Sequence, residues 1–218
     1  MGRFAVIGLG NFGSNVARVL FELGHEVICL DRDEAKVNST QRFSSYGVVG
    51  VATDKQMLES LQIDDLDAVF VSLGDSMAES ILATLHLRDL KAKRIVAKIT
   101  SEDHGRILTK VGAHEVVFPE RDMAVQVANY VSSPSIMSYL ELSPEYSIQE
   151  IAPPNEFIGK TLAETRIRHK HGVNVIGIRD VLMDQINLNP AANYVIKDSD
   201  VLIVIGRHDD LVKLAKTK

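Results

Sequence analysis

Short apolar runs alternate with helix-like segments over the first part of this 218-residue chain. Six of these runs are rich in Val and Ile and lack a regular alternation of polar and apolar residues, which is typical of parallel strands covered on both faces. They occupy residues 4–8, 26–30, 48–52, 68–73, 94–99 and 115–118. Six consecutive strand–helix units predict a doubly wound parallel sheet with right-handed crossovers, in the strand order 3-2-1-4-5-6.

The segments between these runs carry the start and stop signals of helices. After Asn11 the apolar residues fall on one helical face, and Gly24 suits the position that follows a helix C-terminus. Asp54, Asp75 and Ser101 each stand where a helix N-cap is expected. We therefore expect helices on both faces of the sheet.

The pattern changes after Pro119, which ends the sixth apolar run. We predict a longer helix over residues 120–140, bent at residues 132–134; the pattern leaves open whether it is a connector or packs back on its own sheet. The rest of the chain predicts a small α+β unit with an antiparallel or mixed sheet. Its strand-like segments are residues 147–151, 173–178, 182–188 and 201–205, and its helix-like segments are residues 161–166 and 209–216. We therefore place the first domain, with its crossover helix, at residues 1–133, and a linker with a small C-terminal domain at residues 134–218.

Composition narrows the classes of function. The net charge is −5 and no basic stretch is dense enough to follow a phosphate backbone, so we expect no nucleic-acid partner. Cys29 is the single cysteine, which excludes an internal disulfide and fits a reducing, cytosolic compartment. We expect no secretory leader, and every apolar run in the sequence is shorter than the roughly 20 residues of a membrane-spanning helix. Work at a membrane would therefore require a partner that holds the chain there.

The first strand–helix turn carries the motif Gly8-Leu9-Gly10-Asn11-Phe12-Gly13. In this setting Gly8 permits the tight turn, Gly10 lets the backbone approach a diphosphate, and Gly13 lets the helix pack close to the strand. The amides at the helix start, at Asn11 and Phe12, then face the phosphates. The motif predicts a Rossmann-type nucleotide site, and a structural glycine turn without a ligand is the alternative.

A carboxylate stands at the end of the second predicted strand. Asp31 follows Gly13 by 18 residues, a position that places it at the ribose hydroxyls. It favours NAD or an adenosine phosphate over NADP, although the adjacent Arg32 would soften the repulsion of a 2′-phosphate. The alternative is that Asp31 caps the helix after Arg32.

Further candidates follow the other strands, where open α/β sheets bind their ligands. Thr53 and Asp54 are placed to approach the adenine edge, Gly74 lies at the predicted switch point, and Lys98 is placed to meet a terminal phosphate. Glu120 opens the next helix and is a candidate ligand for a divalent cation beside the phosphates. Each has a plainer alternative: a helix cap for Asp54, a turn for Gly74, a surface charge for Lys98, and a favourable helix-dipole position for Glu120.

The sequence resembles the cytosolic regulatory subunits of Trk/Ktr-type potassium uptake systems, which have an RCK (regulator of potassium conductance) architecture. The resemblance covers nearly the whole chain. The stretches that carry it are residues 6–13, 24–27 leading to Asp31, 51–54, 119–123, 147–151 and 201–206.

The resemblance implies a homo-oligomeric ring, often an octamer, docked on the cytoplasmic side of a membrane potassium channel or transporter subunit. Such rings bind ATP, ADP, NAD or NADH, and the bound species biases the ring between conformations that open or close the pore. Glu120 matches a position that holds a divalent cation, Mg²⁺ or Ca²⁺, in some members. Members that respond to ATP often have arginine at the position of Asn11, so NAD(H) or ADP gains weight as the ligand here.

One branch of this family binds cyclic di-AMP on its C-terminal domain. Arg168, Asn174 and Pro190 match the spacing of the residues used in that branch, and Arg168 would pair with phosphate. The alternative is a surface arginine, a turn asparagine and a loop proline.

Two other functions are compatible with a nucleotide site. An NAD-dependent oxidoreductase needs a second domain that closes over the nicotinamide, and the C-terminal part is short for that. The histidines, at 25, 86, 104, 114, 169, 171 and 208, show no catalytic pairing with a carboxylate, and the His169–His171 region, a predicted loop, lacks a full zinc set. A nucleotide sensor for another process, such as transcription, would need a helix-turn-helix or a basic surface.

Overall fold

The chain is described here by a computed structural model that covers residues 1–74, 76–132, 136–143 and 145–216. It forms two compact units, Met1–Glu120 and Arg121–Lys218. The domain boundary after residue 133, with the crossover helix in the first domain, stays a prediction.

The first unit contains a six-stranded parallel sheet in the order β3-β2-β1-β4-β5-β6. This confirms the predicted doubly wound fold and its strand order. The strands are β1 Arg3–Ile7, β2 Glu26–Asp31, β3 Tyr46–Val49, β4 Ala68–Val71, β5 Ile95–Lys98 and β6 Glu115–Val117. In the centre of the sheet, Ile7 pairs with Leu30 on one side and with Val71 on the other, and all three side chains are buried.

The third strand begins and ends earlier than the predicted range 48–52. Its pairing with β2 runs only to Val49, opposite Asp31, and Val49 is exposed at the sheet edge. Residues 50–52 instead form a loop, which begins where the Gly50 amide donates to the carbonyl of Asp31. Val51 and Ala52 are thus apolar without belonging to a buried strand. Both residues line a cleft that is described below.

Helices cover the first sheet, and all but the first begin at a side-chain cap. They are α1 Asn11–Glu22, α2 Glu34–Thr40, α3 Lys55–Ser60, α4 Met77–Asp89 and α5 Glu102–Val111. Asp54 and Ser101 cap α3 and α5 as predicted, and a cap of this kind stabilises a helix by about 1 kcal/mol. Helix α4 is capped by Ser76, which accepts from the Glu79 amide at 3.3 Å, whereas the predicted cap, Asp75, lies outside the described residues.

The predicted helix over residues 120–140 is wrong in its second half. Helix α6 spans Pro119–Ser132, and Ile136–Ser143 forms β7, an antiparallel partner of β8, Tyr146–Ile151. Pro134 has no amide hydrogen and disfavours a helical conformation in the residue before it, so a sequence with proline at this position favours a helix that ends before it. The predicted bend at residues 132–134 lies largely outside the described residues.

The second unit contains a five-stranded antiparallel sheet in the order β10-β9-β11-β8-β7. This confirms the predicted small α+β domain. Its remaining elements are α7 Leu162–Thr165, α8 Ile167–His171, β9 Asn174–Asp180, β10 Gln185–Leu188, β11 Asp200–Arg207 and α9 His208–Lys216. The core packs Leu211 and Leu214 of α9 with Leu202 and Val204 of β11.

The segment around His169 and His171 is helical rather than the predicted loop. Helix α8 is only five residues long, and it follows α7 through Arg166, whose φ of 50° is left-handed. A helix this short gives almost no periodic signal in sequence. Among the described residues, no helix combines the length and the apolar character needed to cross a membrane.

Candidate functional site

A cleft of about 490 Å³ opens at the carboxyl edge of the parallel sheet in the first unit. Its lining residues come from the carboxyl ends of β2 and β5, from the loops after β1, β2, β3 and β4, and from the N-terminal parts of α1, α2, α4 and α6. They are Gly8, Gly10, Asn11, Phe12, Leu30, Asp31, Arg32, Lys36, Gly50, Val51, Ala52, Thr53, Ser72, Leu73, Gly74, Ser76, Glu79, Lys98 and Glu120. This is where open α/β sheets bind ligands, and the volume suits a small molecule or nucleotide.

Two glycines of the first loop are required by the fold itself. Gly8 has a φ of +90°, and a Cβ there would lie 2.5 Å from the carbonyl oxygen of Ser72. A Cβ on Gly13 would lie 1.9 Å from the carbonyl oxygen of Gly8. Gly8 therefore permits the turn and Gly13 permits the packing of α1 on the loop, as predicted for these two positions.

Gly10 is different, because neither conformation nor packing requires a glycine there. Its φ of −68° and ψ of −173° are open to other residues, and a Cβ built on it meets no heavy atom within 4 Å. The space over Gly10 belongs to the cleft. Gly10 is also the N-cap of α1, with no side-chain cap and no acidic residue in the first helical turn, so the amides of that turn are available to an anion.

The carboxylate of Asp31 ties the second strand to the glycine loop. Its Oδ2 accepts from the Leu9 amide at 2.7 Å and its Oδ1 accepts from the Asp33 amide at 2.9 Å, and the residue is only 9% exposed. A carboxylate offers about four lone-pair sites, so acceptor positions remain for two ribose hydroxyls. The alternative role of Asp31 as a helix cap is wrong, since Asp33 caps α2 by accepting from the Ala35 amide.

An ion pair crosses the cleft between two elements that are distant in sequence. Arg32 follows β2, Glu79 lies in the first turn of α4, and Arg32 Nη1 lies 3.3 Å from Glu79 Oε1. Sequence reasoning missed Glu79, and it missed Ser76 and Lys36, which also line the cleft. The spacing Ser76-x-x-Glu79 after an apolar strand is a helix-start signal that would have directed attention to this segment.

A second ion pair joins Lys98, at the end of β5, to Glu120, in the first turn of α6. The Lys98 side chain is 15% exposed and that of Glu120 is 59% exposed. The hydrogen bond from the Lys98 ammonium lowers the pKa of the Glu120 carboxyl below its usual value, so Glu120 stays ionised. Lys98 is therefore not a solvated surface charge; its Nζ lies 3.5 Å from the Cβ position that a side chain at Gly74 would occupy.

The remaining predicted residues are placed as follows. Thr53 lines the cleft, as do Asn11 and Phe12 at the start of α1. Gly13 lies beneath the loop, outside the cleft lining. The carboxylate of Asp54 accepts a hydrogen bond from the Gln56 amide at 2.9 Å, so Asp54 is the cap of α3. Asp54 is not among the described lining residues of the cleft. Its approach to the adenine edge stays a prediction.

The three residues predicted for a second ligand lie in the second unit. Arg168 is exposed on α8, Asn174 is exposed at the first position of β9, and Pro190 is half-buried after β10. A cavity of about 240 Å³ is lined by other residues, namely Lys170, His171, Gly172, Asp210 and Lys213. The role of Arg168, Asn174 and Pro190 in ligand binding stays a prediction.

A metal ion would find few protein ligands in the cleft. Across the described ranges, no group of three or more His, Cys, Asp or Glu side chains is arranged to hold one. Glu120 is already paired with a lysine. A cation at Glu120 would therefore have to draw most of its oxygen ligands from water or from a phosphate group.

Comparisons with known proteins define the class of this chain. Residues 4–119 match the TrkA-N domain family and residues 149–217 match the TrkA-C domain family. Over 213 residues the chain is 39% identical to Ktr system potassium uptake protein C of Bacillus subtilis (strain 168), covering 98% of this chain and 96% of that protein. Ktr system potassium uptake protein A of the same organism is 34% identical over 209 residues, covering 96% and 93%. The chain belongs to the Ktr family of potassium uptake proteins, which confirms the resemblance found in the sequence.

Solved structures of similar fold agree with this assignment. The GsuK RCK domain superposes with a TM-score of 0.67 at 21% identity and covers 99% of this chain and 47% of that chain. The GsuK channel gives a TM-score of 0.69 at 20% identity, covering 99% of this chain and 39% of that chain. These similarities establish the RCK fold for the chain.

Proposed function

We propose that this chain is the nucleotide-controlled regulatory subunit of a potassium uptake system. The observation that carries the proposal is Gly10. The fold needs glycine at Gly8 and Gly13, whereas a Cβ at Gly10, which lines the cleft, would meet no heavy atom within 4 Å, so a ligand has room to approach the backbone there. The uncapped start of α1 then offers its amides to a diphosphate.

The ligand that best fits this cleft is an adenine nucleotide with a diphosphate, NAD(H) or ADP in preference to ATP. Asp31 has acceptor positions left for the ribose hydroxyls and would repel a 2′-phosphate. Asn11 brings no positive charge to the start of α1 for a third phosphate. The GsuK channel bound to NAD, a neighbour of similar fold with a TM-score of 0.66, supports the choice of NAD.

The chain acts in this proposal as part of a homo-oligomeric ring, an octamer built from dimers. The ring lies in the cytoplasm against a membrane potassium channel or transporter subunit, which holds it at the membrane. Bound nucleotide shifts the ring between two conformations only to the extent that its affinity for them differs. The names of the Ktr relatives support the potassium-transport partner.

Two further ligands belong to the same proposal. A divalent cation, Mg²⁺ or Ca²⁺, would bind Glu120 together with nucleotide phosphates and groups of a neighbouring subunit. Cyclic di-AMP would bind the second unit at a two-fold interface through Arg168, Asn174 and Pro190. Arg168 and Asn174 are exposed, as residues of an interface between subunits must be before assembly.

We propose a binding role rather than catalysis for the cleft. Its three carboxylates, Asp31, Glu79 and Glu120, are each held by a hydrogen bond or an ion pair, and no histidine is among its described lining residues. An NAD-dependent oxidoreductase would need a general acid or base beside the nicotinamide. Assays of hydride transfer with hydroxy acids and aldehydes test that alternative.

The test of the proposed function combines identification of the native ligand with a variant that blocks its site. Nucleotide that co-purifies with the native protein is identified by mass spectrometry, and ADP, ATP, NAD and NADH are titrated by calorimetry. The Cβ of Gly10→Val lies in open space and the backbone angles accept a side chain, so the variant should stay folded at a cost of about 1 kcal/mol for the changed N-cap and bind every adenine nucleotide at least about tenfold more weakly, a loss of about 1.4 kcal/mol. A wild-type protein that ignores all four nucleotides would overturn the proposal.

A further inference from the structure

In the ion pair between Lys98 and Glu120, the Glu120 carboxylate lies at the position proposed for a terminal phosphate. Lys98 is largely buried at the end of β5 beside Gly74, and both members of the pair line the cleft. A lysine whose side chain is only 15% exposed is stabilised by a nearby counter-charge. The Glu120 carboxylate supplies that charge.

Lys98 is also the cation best placed for an anion at this end of the cleft. The other cations among its described lining residues are Arg32 and Lys36, which belong to the loop and helix after β2. Arg32 is 71% exposed and pairs with Glu79. At the start of α1, the cleft presents the uncharged Asn11. A phosphate that extends to Gly74 would therefore contact Lys98, and it would compete with the Glu120 carboxylate for the Lys98 ammonium.

We propose that Glu120 competes with the ligand's terminal phosphate for Lys98, and that Lys98 exchanges one anion for the other when a polyphosphate binds. The inference rests on the proposed function, since it concerns the same cleft. Glu120 thereby lowers the affinity of the cleft for a long polyphosphate. It has less effect on the affinity for a nucleotide whose phosphates do not extend to Lys98. Binding of the longer ligand releases the Glu120 carboxylate at the start of α6.

The difference in exposure decides which member of the pair moves. Glu120 is 59% exposed, so its carboxylate returns to water at little cost when the pair opens, and its position in the first helical turn remains favourable. Lys98 is 15% exposed and would lose the ion pair that the described residues give it if it stayed unpaired. Two anions held together at one ammonium repel each other, which makes exchange more favourable than a shared site.

The experiment compares AMP and ATP as probes of different reach. Both are titrated into the full-length protein by calorimetry in the presence of a chelator, so that no divalent cation bridges the two anions. Glu120→Gln removes the rival charge at an exposed position and keeps the shape of the side chain. We expect it to tighten ATP binding by about tenfold, and AMP binding by less than about twofold, because AMP does not reach Lys98.

Two further variants separate competition from a general change in charge. Glu115→Gln makes the same change of charge in an ion pair with Arg94, at the opposite end of β5 and outside the described lining of the cleft, and it should leave ATP binding unchanged. In a Lys98→Gln background, Glu120→Gln should change ATP affinity by less than about twofold, because the group for which the two anions compete is gone. Melting temperatures confirm that each variant is folded.

Several results would overturn the inference. Unchanged or weaker ATP binding by Glu120→Gln does so, as does an equal gain for AMP, or the same gain in Glu115→Gln. In each of these cases the wild-type protein still binds nucleotide, so the proposed function stands. Failure of both the wild type and Glu120→Gln to bind any adenine nucleotide defeats the proposed function together with the inference.

Discussion

The two ends of the cleft are built from different kinds of groups. The glycine-loop end, residues 8–13 with Asp31, is positioned by backbone: Leu9 donates its amide to Asp31, and α1 packs directly on the carbonyl of Gly8. The ion-pair end, Gly74 with Lys98 and Glu120, is made by side chains from separate elements. The first end is held by backbone contacts of the sheet and the first helix, whereas the second consists of side chains, which in our proposal exchange partners by rotation.

This difference separates recognition from discrimination. Ribose and diphosphate are common to NAD, ADP and ATP, and in our proposal they are held by the rigid glycine-loop end. The group beyond the diphosphate differs among these ligands, and in our proposal it meets the adjustable ion-pair end. A sensor that must distinguish related nucleotides gains from this arrangement, since affinity for the shared part and preference for the distinct part can vary independently.

The largest effect is expected from Gly13→Ala. This variant tests whether the close packing of α1 on the glycine loop is needed for the stability of the fold. The new Cβ would lie 1.9 Å from a carbonyl oxygen, so helix and loop must separate. We expect a loss of roughly 3 kcal/mol in the free energy of unfolding. The melting temperature, measured by calorimetry, should then fall by roughly 6–12 °C.

Gly10→Ala is the matched control for that prediction. Its Cβ meets no heavy atom within 4 Å, so the fold should lose no more than about 1 kcal/mol, the cost of alanine at an N-cap. If Gly10→Ala lowered the melting temperature as much as Gly13→Ala does, the distinction between a packing glycine and a ligand-facing glycine would be wrong.

An intermediate effect is expected from Asp31→Asn, which tests the charge at the glycine-loop end. The amide keeps one oxygen acceptor but loses the negative charge that would strengthen hydrogen bonds to ribose. Hydrogen bonds to charged groups contribute about 1.5–3 kcal/mol, so affinity for NADH and ADP in calorimetric titrations should fall by roughly 10- to 100-fold. The control is Asp33→Asn, which keeps the cap of α2 outside the described cleft lining; an equal loss there would refute a specific role for Asp31.

The smallest effect is expected from Glu79→Gln, which frees Arg32 at the mouth of the cleft. Arg32 is next to Asp31 and would accept a 2′-phosphate if it were released. The pair is exposed and such pairs contribute about 0–1 kcal/mol, so the ratio of NADPH to NADH affinity should rise by no more than about fivefold. Asp103→Asn, which opens the exposed pair with Arg106 on α5, provides the control. An unchanged ratio would show that Glu79 does not restrain Arg32.

Most of the first unit was predictable from sequence. The six Val- and Ile-rich runs gave the parallel sheet and its order, because strands buried on both faces leave little room for polar residues. The exception, β3, lies at the sheet edge, where Val49 and Val51 are exposed and burial no longer marks the strand. In the second half of the chain, the sequence pattern predicts helix for the first residues of β7, because the pairing of β7 with β8 depends on tertiary structure.

The sequence by itself determined the backbone part of the cleft: the glycine loop, the carboxylate of Asp31 and the loops at the strand ends. These depend on local conformation and on strand order, which residue type and periodicity record directly. Only the tertiary structure decided the side-chain partners, Arg32 with Glu79 and Lys98 with Glu120. Arg32 and Glu79 are 47 positions apart in the chain, and Lys98 and Glu120 are 22 positions apart. No local preference encodes which distant side chains a fold brings together.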